Sequence, residues 1–198
     1  MSEEVSIVMI DLSESCRRTA EVLANVGDHQ LNGPTPCAGM SVRDLVAHIG
    51  GLAQAFGAAA AKNLGPLTDT PPAPGAVLEP EWRTTYPAYL AALAGAWQHP
   101  AAWTGMTRAG GIDLPGQVAG SVALAEVVIH GWDVARATGQ SYAVDAATAR
   151  ACLTHLAQFD TSGTEGLFGP AVPVSDDAPA LDRIIGLSGR DPRWCPSE

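Results

Sequence analysis

Glu126 and His130 stand four residues apart in the run Ala123-Leu124-Ala125-Glu126-Val127-Val128-Ile129-His130-Gly131-Trp132-Asp133. On a helix, that spacing puts both side chains on one face, one turn apart. The rest of that face is apolar. A carboxylate and an imidazole there need each other, a buried partner or a metal ion, because an unpaired buried charge is costly. His48 adds a second imidazole from another strongly helical run, Val42-Arg43-Asp44-Leu45-Val46-Ala47-His48-Ile49. His48, Glu126 and His130 together are the raw material of a three-ligand metal site, which leaves a tetrahedral ion with an open, catalytic position. The competing reading of the same residues is a buried Glu–His ion pair beside a core histidine.

Two carboxylates stand at helical spacing from these imidazoles. Asp44 precedes His48 by four residues, and Asp133 follows His130 by three. Each is a candidate to orient a ligand imidazole by accepting its free N–H. The alternatives are a helix N-terminal acid for Asp44 and a salt bridge to Arg136 or Arg43 for Asp133. His29 and His99 fall at helix ends next to loops and are expected in solvent. His155 has no acidic or imidazole partner at helical spacing. No phosphate loop, nucleophile elbow or dinucleotide fingerprint is present.

These groups must be held by helices. The 198 residues are 46% hydrophobic but only 6% aromatic, and alanine fills much of the gap. An Ala- and Leu-rich apolar set favours closely packed helices, so the expected class is all-α, in one domain over 1–198. Periodicity and caps place helices at about 7–25, 41–64, 81–97, 118–138, 146–159 and 180–187. Ser41 and Asp44 form a near variant of the capping box, Asp145 caps the fifth helix, and Gly139 ends the fourth. Gly110-Gly111 marks a turn within a possible hairpin at 103–116. Pro- and Gly-rich stretches at 65–80 and 161–179 read as long connections.

Net charge is −10, with only 11 basic residues, all scattered. Nucleic acid and anionic membrane surfaces are therefore not expected as partners. No stretch reads as a membrane span or leader, and the expected location is the cytoplasm. Cys16, Cys37, Cys152 and Cys195 share no CxxC spacing and are read as free thiols.

Three separated runs carry a resemblance. Thr35-Pro36-Cys37-Ala38-Gly39-Met40-Ser41-Val42-Arg43-Asp44-Leu45-Val46-Ala47-His48 is the first, and the run from Glu126 through His130-Gly131-Trp132-Asp133 to Gly139 is the second. Both resemble motifs of the mycothiol-dependent maleylpyruvate isomerase N-terminal domain family. The tail from Asp182 to Trp194, with Gly189-Arg190-Asp191-Pro192, resembles the end of an actinobacterial subgroup. The resemblance implies a DinB-like four-helix bundle. It implies a divalent metal ion, typically zinc, on His48, Glu126 and His130, and mycothiol as the thiol cosubstrate. The full isomerase carries a further C-terminal domain. This chain, ending at Glu198, is read as lacking it, and no substrate-binding or catalytic residue is carried over.

Three functions follow as expectations. The first is thiol-dependent S-transfer or isomerisation, with a small-molecule thiol and an electrophile as partners. The second is a metal-dependent hydrolase of a small amide or ester. The third is a metal-stabilised binding module that is not an enzyme. A homodimer is compatible with each.

Overall fold

The computed structural model describes residues 9–70, 77–163 and 168–196. Seven helices and one two-stranded sheet make up the described chain, in the order α1 (Ser13–Ala24), α2 (Val42–Ala60), α3 (Pro66–Asp69), α4 (Trp82–Trp97), β1 (Met106–Ala109), β2 (Ile112–Pro115), α5 (Gly116–Ala137), α6 (Ala146–Leu156) and α7 (Ala180–Leu187). The fold is mostly helical, as expected, with the small sheet added. Helix α4 packs on α1 and α2, and α5 packs on the same two helices. Helices α6 and α7 pack on each other, and α6 also meets α5.

Helix α2 starts where its cap chemistry dictates. Ser41 Oγ accepts from the Asp44 backbone N–H at 3.3 Å, and Asp44 Oδ2 accepts from the Ser41 backbone N–H at 3.0 Å. Two otherwise orphaned amide donors are satisfied reciprocally. Val42, Leu45, Val46 and Ile49 then point into the core, each 2% exposed or less. Full burial of such side chains is worth about 1.5–3 kcal/mol each, so this face, rather than helix propensity, fixes the rotation of α2 about its axis.

Helix α5 is apolar almost all round: Ala123, Leu124, Ala125, Val127, Val128, Ile129, Val134 and Ala135 are all buried. A helix with no polar side is a central helix. By length and composition it would also pass for a membrane span, contrary to the expectation that no stretch does, but most of its apolar window is buried inside the fold. Pro115 precedes its first turn and Gly139 follows its C-cap with φ +72°.

Other boundaries differ from expectation. Helix α1 begins at Ser13 rather than near Ile7, because Asp11 Oδ1 accepts the Ser13 backbone N–H at 2.9 Å and turns the chain into the helix there. Residues 7 and 8 lie outside the described residues. Helix α2 ends at Ala60, ahead of Lys62, whose left-handed backbone (φ 57°) stops it. The connection at 65–80 holds the one-turn helix α3, whose Thr68 Oγ1 accepts the Gly65 backbone N–H at 2.9 Å. Residues 71–76 of that connection, and 164–167 of the later one, lie outside the described residues. Helix α6 ends at Leu156, three residues early.

The hairpin is present. Met106 pairs with Pro115 and Ala109 with Ile112 across a two-residue turn. Gly110 (φ 59°) and Gly111 (φ 81°) both take the left-handed conformation that this tightest hairpin connection demands. Thr107 Oγ1 donates to the Ala59 carbonyl at 2.6 Å, fastening the hairpin to the end of α2.

Candidate metal centre

Helices α2 and α5 carry the three candidate ligands into contact. Glu126 Oε2 lies 3.0 Å from His130 Nε2 and 4.0 Å from His48 Nε2. The two imidazoles meet edge to face, with centroids 4.9 Å apart and planes at 89°. Each of the three residues offers one ligand atom, and all three atoms lie within 4.8 Å of one another. His130 is buried, while His48 and Glu126 keep partial exposure, so the cluster opens on their side.

The electrostatics of the two histidines diverge. Burial, with the neighbouring His130 charge, pushes His48 down to about 4. It is therefore a neutral imidazole at neutral pH, the form that ligates metals. Burial alone would depress His130 as well. Hydrogen bonds to Asp133 and Glu126, with the charges of both, outweigh it and push His130 up to about 9. Burial tends to raise Glu126, but the His130 hydrogen bond and charge hold it below its ordinary value.

Asp133 is completely buried on α5, and its Oδ2 lies 3.1 Å from His130 Nδ1. An ionised carboxylate can only accept, so Nδ1 carries the hydrogen and Nε2 is the atom turned toward Glu126 and His48. Asp133 pairs with neither Arg136 nor Arg43. Its partner is Arg190, which follows α7: Nε donates to both carboxylate oxygens at 3.3 Å and Nη2 to Oδ2 at 3.2 Å.

Asp44 is placed differently from the orienting role considered for it. Its Oδ2 accepts from Ser41 Oγ at 2.6 Å and from the Ser41 backbone N–H. Those hydrogen bonds hold its carboxyl below the usual range, and among the described residues it makes no hydrogen bond to His48. Its acceptor capacity goes to the cap, at the start of the helix. His29 and His99 are exposed. His155 is buried on α6, edge-on to Phe159 at 5.2 Å between centroids, close enough for the Glu126 charge to act on it.

Two residues of this region were not singled out by spacing. Arg190 is one. Cys37 is the other: with His130 and Asp133 it forms a second group of donors, again within 4.8 Å of one another. His130 is common to both groups. The two groups differ in their surroundings. The guanidinium of Arg190 already sits on Asp133 in the Cys37 group, whereas the His48–Glu126–His130 group contains a carboxylate with no arginine bonded to it. Coulomb repulsion from a fixed guanidinium disfavours a second cation beside it, which counts against the Cys37 group as a place for an ion. Two imidazoles and one carboxylate are donor types that a divalent transition ion takes, and their ligand atoms lie close enough together to share one.

Comparison with known proteins places the chain in a family and a fold. Residues 12–135 match the family model described as the mycothiol maleylpyruvate isomerase N-terminal domain. Uncharacterised proteins from two strains of Mycobacterium tuberculosis are 32% identical over 183 residues, covering 88% of this chain and 92% of theirs. The crystal structure of a histidine-to-alanine mutant of the mycothiol-dependent maleylpyruvate isomerase superposes with a TM-score of 0.52 at 19% identity. That match covers 73% of this chain and 66% of the isomerase chain, and at such low identity it speaks to the fold.

Proposed function

The chain belongs to the mycothiol maleylpyruvate isomerase N-terminal domain family, and from that premise we propose that it is a metal-dependent enzyme acting with a low-molecular-weight thiol, mycothiol by family, on a small electrophile. The observation that carries the reading is the convergence of His48, Glu126 and His130 from two helices. We read the packing of α1, α2, α4 and α5 as the DinB-like four-helix bundle of that family.

The chain's own residues do the following. His48 presents a neutral imidazole from α2. Glu126 supplies one negative charge, so a divalent ion held by the three residues keeps a net positive charge. When bound, such an ion, most simply zinc, supplies the Lewis acidity that lowers the pKa of a thiol at its open position. Asp133 holds the His130 ring by its Nδ1–H and fixes which nitrogen faces the site. The apolar residues of α5 beside His130 bury its side of the cluster and strengthen its interactions with Asp133 and Glu126.

The test is elemental analysis of the purified protein and of His130→Ala, followed by thiol titration of the loaded protein. About one equivalent of metal in the wild type and almost none in the variant is expected. A change in the cobalt-substituted spectrum on adding a small thiol is expected with it. A wild type that takes up no zinc or cobalt after incubation would sink the proposal. Loaded protein that responds to no thiol would turn it toward the hydrolase.

A further inference from the structure

Arg190 is a charged side chain only 8% exposed, on a segment outside the matched family region of residues 12–135. A guanidinium is seldom buried unless fully engaged. Here every nitrogen already donates: Nε and Nη2 to Asp133, and Nη1 to the Ser188 carbonyl at 2.8 Å. The side-on edge of the guanidinium, Nε and Nη2, is committed to Asp133.

The backbone commits Arg190 to this place. Gly189 follows the C-cap of α7, and its φ of +81° is open to glycine and strained for other residues. A Cβ there would also crowd the backbone of Gly169. The Arg190 backbone N–H then donates to the Ile185 carbonyl at 3.1 Å, and the chain turns the guanidinium onto α5.

We infer that Arg190 is a positioning residue that decides which of the two donor groups around His130 can load an ion. The inference rests on the metal-centre reading above. Two effects combine. By pairing with Asp133, Arg190 fixes the carboxylate that fixes His130, so Nε2 is aimed at Glu126 and His48. By holding a positive charge on Asp133 and close enough to act on Cys37, it opposes an ion in the Cys37 group. The fork geometry explains why the residue is an arginine: a lysine ammonium is a point charge and cannot hold both carboxylate oxygens and a carbonyl in one plane.

The experiment is cobalt(II) titration of the full chain, read by affinity and by absorption, for the wild type, Arg190→Gln, Arg190→Lys and Arg190→Gln with Cys37→Ser. The wild type is expected to bind without a thiolate-to-cobalt charge-transfer band. Arg190→Gln is expected to bind 10–100-fold more weakly, the usual cost of losing an outer partner, and to gain that band as Cys37 joins His130 and Asp133. Adding Cys37→Ser should abolish the band. Arg190→Lys, which keeps the charge, should lose several-fold in affinity and show no band. It carries the test if Arg190→Gln does not fold. Wild-type affinity with a band-free spectrum in Arg190→Gln, wild-type affinity in Arg190→Lys, or a thiolate band in the wild type would each overturn the inference. Failure of the wild type to bind cobalt at all would instead remove the metal-centre reading, and this inference with it.

Discussion

Asp133 Oδ2 accepts the Nδ1–H of His130 at 3.1 Å, one turn further along the same helix. With Glu126 on Nε2 at 3.0 Å, a single imidazole is clamped between two carboxylates. The clamp favours the imidazolium, which is why His130 is pushed up to about 9 despite its burial.

Loading an ion should therefore release a proton. A ligand imidazole must give up its Nε2 proton to the metal, whereas His48, down at about 4, has none to give at neutral pH. About one proton per ion is expected at pH 7.5, falling toward zero as the pH passes about 9. Calorimetric titration in buffers of different ionisation heat measures it directly. Loading without proton release at pH 7.5 would mean that the metal-free His130 is already neutral.

The two histidines should also give the metal-free protein a stability maximum. His130 is raised from 6.5 to about 9, so its contribution is complete below about pH 6.5 and is lost as pH rises through about 9. His48 is lowered from 6.5 to about 4, so its contribution is complete above about pH 6.5 and is lost as pH falls toward about 4. The sum peaks near pH 6.5. Thermal melting of chelator-treated protein across pH 4 to pH 9.5 should trace a dome, and His130→Gln should flatten its alkaline side. A melting temperature that climbs steadily to pH 9 would contradict the assignment.

What the sequence made legible was whatever lies within one element or one turn. Glu126 and His130 were found because i, i+4 neighbours share a helix face, and the start of α2 because Ser41 and Asp44 sit three residues apart. The Gly110-Gly111 turn announced the hairpin in the same way. Arg190 could not be found by this route, because it reaches Asp133 from 57 residues away on a segment whose own periodicity says nothing of α5. Spacing marks Cys37 only as an isolated thiol for the same reason: its neighbours His130 and Asp133 arrive from another helix. Asp44 shows the converse error. Correct spacing to His48 suggested an orienting role, but a closer hydroxyl and amide at Ser41 took the carboxylate first.

That difference is measurable. Asp44→Ala removes the carboxylate half of a capping box and should cost about 0.3–1.5 kcal/mol of stability in urea denaturation. Because the carboxylate is spent on Ser41, metal affinity should stay at the wild-type level. A tenfold or larger loss of affinity would show that Asp44 reaches His48 after all.

The four thiols should separate by reactivity, and Cys37 should report where an ion sits. Cys195 is exposed, whereas Cys16 and Cys152 are buried and pushed up to about 12 by burial. Cys37 lies between: burial raises it, and the Arg190 charge offsets only part of that. Thiolate is the reacting form, so alkylation at pH 7.5 should proceed at Cys195 first and at Cys37 slowly, with Cys16 and Cys152 modified only on unfolding. Zinc held by His48, Glu126 and His130, as proposed, would leave Cys37 without a metal bond, so the Cys37 rate should be unchanged. Peptide mass spectrometry of timed samples, with and without zinc, gives each rate. Strong protection of Cys37 by zinc would place the ion among Cys37, His130 and Asp133 instead, and would reverse the choice between the two donor groups.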